Sequence, residues 1–164
     1  MACFFDSSNG DPTTLEYNTK PQNGQVYVMY HGTTRRKAKI IKKYGFQRSN
    51  DGMLGPGVYV SRDIHKASRY PIRSRPENRA VLELLVNVGR VKKINKQDHP
   101  LQKTWHNYGY DTAWVPPKCG MVRSGREEDC VWDPRRIRVT AILDPVLTDD
   151  EEDDDDEEEE CYED

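Results

Sequence analysis

Val26-Tyr27-Val28-Met29-Tyr30-His31-Gly32 is a short run of β-branched and aromatic residues that ends on a histidine beside a glycine. A run of this kind reads as a β-strand, and Gly32 marks a place where the backbone can turn or a ligand can come close to it. The stretch therefore predicts a strand that delivers His31 to its end. Directly after it, Thr34 is suited to cap a helix over residues 35–44, with Ala38, Ile41 and Ile40 on the buried side, lysines outward and Gly45 as the stop.

Further along, residues 57–61 (Gly-Val-Tyr-Val-Ser) read as a second strand, and Ser61 is placed to cap a short helix over residues 63–70 that Pro71 ends. Residues 79–91 hold Val81, Leu82, Leu84, Leu85, Val86 and Val88 before Gly89, a β-branched pattern that predicts a central strand and much of the core. After a loop containing Pro100, Trp105 and Tyr108, three more short strands are predicted at 112–115, 130–132 and 137–143. Few helices and a late run of strands favour an α+β fold with a mixed or antiparallel sheet over a doubly wound parallel one.

The 164 residues suffice for a single domain with a single core. Residues 1–24, rich in Asn, Asp, Pro, Thr and Gly, read as a flexible leader, residues 25–145 as the ordered domain, and 146–164 as an acidic, disordered tail. The net charge of −3 conceals an asymmetry: residues 149–164 hold 14 of the 28 acids and no base, which leaves the remainder with 25 bases against 14 acids. A basic body attracts phosphate, in a dinucleotide or a nucleic acid, and a tethered acidic tail can compete for the same face or serve only solubility.

No apolar run approaches a membrane span or a secretory signal, which predicts a soluble protein of the cytosol or nucleus with no membrane partner. Cys3, Cys119, Cys130 and Cys161 lack CxxC spacing and are read as reduced. A zinc site of Cys119, Cys130, His99 and His106 fits no standard ligand spacing, so no metal is expected.

Three segments set a polar or aromatic group at a predicted strand end: Tyr30-His31-Gly32-Thr33, Gly57-Val58-Tyr59-Val60-Ser61, and Glu127-Glu128-Asp129-Cys130-Val131-Trp132-Asp133. Singly each is weak. In this order, and with Gly45-Phe46-Gln47-Arg48-Ser49, Lys66-Ala67-Ser68-Arg69-Tyr70 and Tyr110-Asp111-Thr112 between them, the chain from about residue 27 to 139 resembles the catalytic domain of the poly(ADP-ribose) polymerase family and its mono-ADP-ribosylating relatives. It is similar, more closely still, to the short virus-inducible PARP-like proteins of fish, which implies a role in innate antiviral defence.

The resemblance implies a PARP-type ADP-ribosyltransferase fold of split mixed and antiparallel sheets with short flanking helices, NAD as substrate, and a triad of His31, Tyr59 and Glu128. His31 would hydrogen-bond the adenosine-side ribose, the main chain of Gly32 would hold the nicotinamide carboxamide, and Thr33 would add a hydroxyl. Tyr59 and Tyr70 would sandwich the positively charged nicotinamide ring, and Arg48 would meet the diphosphate or adenine side. Glu128, chosen over Glu127 by its distance from Asp133, would stabilise positive charge on the nicotinamide-side ribose as the glycosidic bond breaks.

One position departs from the pattern. Ala67 stands where the family usually has a serine that contacts the carboxamide, so either Ser68 substitutes or one hydrogen bond of about 0.5–1.5 kcal/mol is missing. Single transfer of ADP-ribose to a protein acceptor, itself included, is the leading expectation. An NAD- or ADP-ribose-binding module without turnover is the second. A nucleic-acid-binding domain, using the bases of residues 35–43 and tuned by the acidic tail, is the third.

Overall fold

The computed structural model describes residues 18–147. The expected leader up to residue 17 and the acidic tail from residue 148 lie outside the described residues, as do Cys3 and Cys161. The fold is α+β: seven strands, two α-helices and three short 3₁₀ turns among the described residues. The elements are β1 (Val26–Thr34), α1 (Arg35–Tyr44), β2 (Val58–Val60), α2 (Ile64–Ser68), β3 (Arg79–Asn87), β4 (Val91–Lys93), β5 (Thr112–Val115), β6 (Glu128–Val131) and β7 (Ile137–Leu143). They form a three-stranded antiparallel sheet, β1-β3-β7, and a four-stranded mixed sheet, β2-β6-β5-β4, in which only β4 and β5 run parallel.

The strand predicted from residue 26 is longer than expected. His31, Gly32 and Thr33 lie inside β1, where Gly32 pairs with Val81, and the turn expected there is absent. The central apolar segment is indeed the middle strand of its sheet. Leu82, Leu84 and Val86 turn to one face of β3, beside Met29 and Tyr27 of β1 and Val58, Val60 and Val131 of the other sheet. One core thus fills the space between the sheets. A second lies on the far face of the mixed sheet, where Tyr59, Ala113, Val115 and Cys130 meet Leu54, Ile94, Trp105 and Met121.

Helix α1 begins and ends as its caps dictate. Thr34 Oγ1 accepts the Lys37 N–H at 3.1 Å, and Gly45, at φ 87°, donates its N–H to Ile41 O at 2.7 Å. Ala38 and Ile41 pack on the core, whereas Ile40, expected on the buried side, stays half exposed. The cap of α2 is Asp63, not Ser61: Asp63 Oδ1 accepts the N–H groups of His65 and Lys66. Ser61 is still engaged with the sheets, its backbone bridged to Tyr30 and its hydroxyl turned to Glu127.

Candidate functional site

The two sheets touch at one backbone bridge. Tyr30 N–H donates to Ser61 O at 2.7 Å and Ser61 N–H donates to Tyr30 O at 2.9 Å. Tyr30 therefore points its amide and carbonyl away from β3. In an antiparallel ladder this direction alternates residue by residue, so Gly32, two residues on, turns its N–H and C=O to the same edge, on the side of β2. Its other surface is closed by α2: a Cβ on Gly32 would stand 1.8 Å from Ala67 O and 3.0 Å from Tyr70 O. Glycine is required there for the helix backbone to reach the strand.

His31 and Thr33 alternate with Gly32 on the inner face of β1. Nδ1 of His31 lies 2.6 Å from the Tyr59 carbonyl, to which it must donate. In the neutral ring this leaves Nε2 as the acceptor. Phe46 meets the imidazole edge-on at 5.0 Å. Thr33 is fully buried and its Oγ1 has no hydrogen-bond partner, the kind of orphan that a ligand hydroxyl can satisfy.

Tyr59 sits with its ring in the second core and its hydroxyl fixed, accepting from Leu54 N–H at 2.9 Å and donating to Gly55 O at 2.5 Å. The 52–55 loop lies directly on it, since a Cβ at Gly52 would stand 2.3 Å from Tyr59 Oη.

All three residues of the acidic run are buried, contrary to the ordinary behaviour of consecutive carboxylates. β6 also starts at Glu128, two residues earlier than the predicted strand. Glu127 is saturated: Oε2 accepts Ser61 Oγ and Arg62 N–H, each at 2.7 Å, and Oε1 accepts Trp114 Nε1 at 2.9 Å and Arg62 Nε at 3.3 Å. Its role is to lock β2 to β5. Asp129 meets no donor on either oxygen and lies against the Glu127 carboxylate. Burial first, then the neighbouring Glu127 carboxylate, raise its pKa well above the usual carboxylate range, with Arg62 pulling the other way.

Glu128 is the carboxylate paired with a lysine. Tyr59 faces Cys130 across the β2–β6 ladder, and Glu128, two residues from Cys130, lies on the same face as both. Its Oε2 pairs at 3.3 Å with Lys66 Nζ of α2, both side chains no more than 2% exposed. Lys66 in turn lies 5.3 Å from the ring centroid of Tyr70. Lysine, carboxylate and tyrosine are thus brought together on the side of the molecule where α2 crosses Gly32. Arg79, at the start of β3, holds the chain around Tyr70 by donating to the carbonyls of Ser68, Ile72 and Ser74.

Two predicted contact residues are otherwise occupied. Ser68 Oγ donates to Ile64 O at 2.7 Å and accepts Val146 N–H at 2.9 Å, so it ties the C-terminal segment to α2. Arg48 lies over the Trp132 ring at 3.8 Å and donates Nε to the Trp132 carbonyl at 2.8 Å. His106 stacks on the same indole at 3.7 Å, and burial, then the Arg48 charge, hold its pKa below the histidine range.

Lys66, Arg62 and Arg79 were not among the sequence candidates. A lysine on a short helix reads as solvated, and only the buried acids near residue 128 reveal its place. No three of His99, His106, Cys119 and Cys130 are arranged to hold a metal ion, and no other such group occurs among the described residues. Both described cysteines are free thiols. No described helix is long and apolar enough to cross a membrane. No protein-family profile matches the chain, and neither does any curated protein.

Proposed function

We propose that the chain is an NAD-dependent ADP-ribosyltransferase of the PARP type, transferring single ADP-ribose groups to a protein acceptor and releasing nicotinamide. The observation that carries the reading is the place of Gly32 in β1, with its amide and carbonyl directed away from β3 between His31 and Thr33. A carboxamide offers one acceptor and two donors in a plane, which an outward N–H and C=O on one residue can pair with. The orphaned Thr33 hydroxyl and the acceptor nitrogen of His31 suit ribose hydroxyls. The residues present therefore fit the dinucleotide.

In this reading Gly32 holds the carboxamide, Tyr70 offers a ring face to the nicotinamide, and Tyr59 carries His31 through its carbonyl and shapes the floor. Glu128 accepts a ribose hydroxyl and stabilises the positive charge that develops as the glycosidic bond lengthens. Lys66 holds the Glu128 carboxylate in place until a ribose hydroxyl competes for it.

A second reading, a module that binds NAD without turning it over, is favoured by Ala67 together with the committed hydroxyl of Ser68. One carboxamide contact is then lacking, a deficit of about 0.5–1.5 kcal/mol.

Incubation of the purified protein with labelled NAD, beside Glu128→Gln, separates the two. Label on protein and free nicotinamide from the wild type alone are expected. Unchanged transfer by Glu128→Gln would overturn the mechanism. Saturable NAD binding without nicotinamide release would establish the second reading.

A further inference from the structure

Helix α1 has the sequence Arg-Arg-Lys-Ala-Lys-Ile-Ile-Lys-Lys-Tyr: six bases and no acid in ten residues. Arg35, Arg36 and Lys37 occupy the first turn, where the helix dipole disfavours cations and an acid would be the stabilising choice. This composition works against the helix that carries it. Packing does not explain it either, because only Ala38 is fully buried and every base is exposed.

Arg35 is committed at the edge, with Nη2 2.7 Å from Asp144 Oδ1 and Nε on Glu77 O. The helical wheel sets Arg36 and Lys43 at the pole farthest from the core, flanked by Lys39 on one side and by Ile40 and Tyr44 on the other. Ile40 is 50% exposed and Tyr44 74% exposed, and Lys43 Nζ lies 5.2 Å from the Tyr44 ring centroid. A solubilising face needs no such aromatic. Cations beside an exposed, stackable ring match a partner that alternates anionic and aromatic groups.

We propose that α1 is a docking face for single-stranded nucleic acid, with Arg36, Lys39, Lys42 and Lys43 on the phosphates and Tyr44 stacked on a base. The partner is chosen over an anionic lipid surface because a membrane-lying helix sinks a broad apolar face into the bilayer. The apolar side of α1, Ala38 and Ile41, is already spent on the core. Residues 1–148 add to it with 25 bases against 14 acids, a field that the 14 acids of residues 149–164 oppose. The face is separate from the pocket proposed for NAD, so either assignment can fail without the other.

The test is fluorescence anisotropy of a labelled single-stranded RNA of about 12 nucleotides with the full chain, at about 50 to 200 mM salt. Binding is expected, with a slope of log K against log salt of about −2 to −3, since each neutralised phosphate contributes about −0.7. Replacing Arg36, Lys39, Lys42 and Lys43 together by Gln should lower affinity at least about tenfold and flatten the slope. Tyr44→Ala should lower affinity about tenfold at an unchanged slope. No replaced side chain is buried, so an unchanged melting temperature assigns the loss to the face itself. Absence of binding at low salt, equal binding by the quadruple variant, or a neutral Tyr44→Ala would each overturn the proposal. So would binding to anionic phospholipid vesicles with none to RNA.

Discussion

A single methyl group added at position 32 tests how closely strand and helix are fitted. In Gly32→Ala the new Cβ would stand 1.8 Å from Ala67 O, a backbone atom that no rotamer change can move. Destabilisation by about 3 kcal/mol is expected, the upper range for overpacking, read as a lower urea midpoint at constant slope. A loss below about 0.5 kcal/mol would mean that α2 is not held against β1. The sequence marks Gly32 as a point of close approach, and so it is, but its first neighbour is the protein's own helix. The acids at 127–129 are the opposite case. Read alone they are a solvated run, because Ser61, Arg62 and Lys66, which explain the burial of Glu127 and Glu128, lie more than sixty residues earlier in the chain.

Among the elements, α2 and β6 are coupled by one buried ion pair. Lys66→Met removes the cation paired with the buried Glu128, which should cost about 3–5 kcal/mol; adding Glu128→Gln should return much of it, because a neutral amide tolerates the loss of the lysine better than a carboxylate does. Additive losses in that double-mutant cycle would show that the pair is not coupled. The elements readable from sequence are those with local punctuation. Thr34 and Gly45 bound α1 without reference to anything distant, and the strands at 112–115 and 137–143 stand at their predicted limits. Those misread depend on partners. β1 runs through His31-Gly32-Thr33 because β3 pairs with it along its whole length. The three-residue β4 exists only as a parallel neighbour of β5, and two of its residues are lysines. The triad candidates rest on the order of their segments, whereas nothing local marks Lys66, on a helix of five residues.

At the scale of the molecule, Asp129 sets a slope of stability against pH. Its raised pKa means that the folded state keeps this proton when the unfolded chain, near the ordinary aspartate value of 3.8, has lost it. The stability from this group is complete below that value and is lost as pH rises through the folded one. Asp129→Asn removes the slope. Thermal or urea unfolding across this range should show the variant gaining on the wild type as pH increases, by about 1–3 kcal/mol once the wild-type carboxylate is ionised. A variant less stable than the wild type at pH about 8 would show that Asp129 is better accommodated as an anion than its oxygens, which meet no donor, imply.

The order β1-β3-β7 also has a meaning in time. While the chain is being made, β1 and β3 can pair once residue 87 has emerged, but the opposite edge of β3 waits for residue 143. At about 5–20 residues per second that wait lasts about 3 to 11 s, during which Val81 to Val86 present an unpaired, apolar strand to the cell. A premature stop ahead of β7 would make that exposure permanent, turning a truncated message into a seed for aggregation.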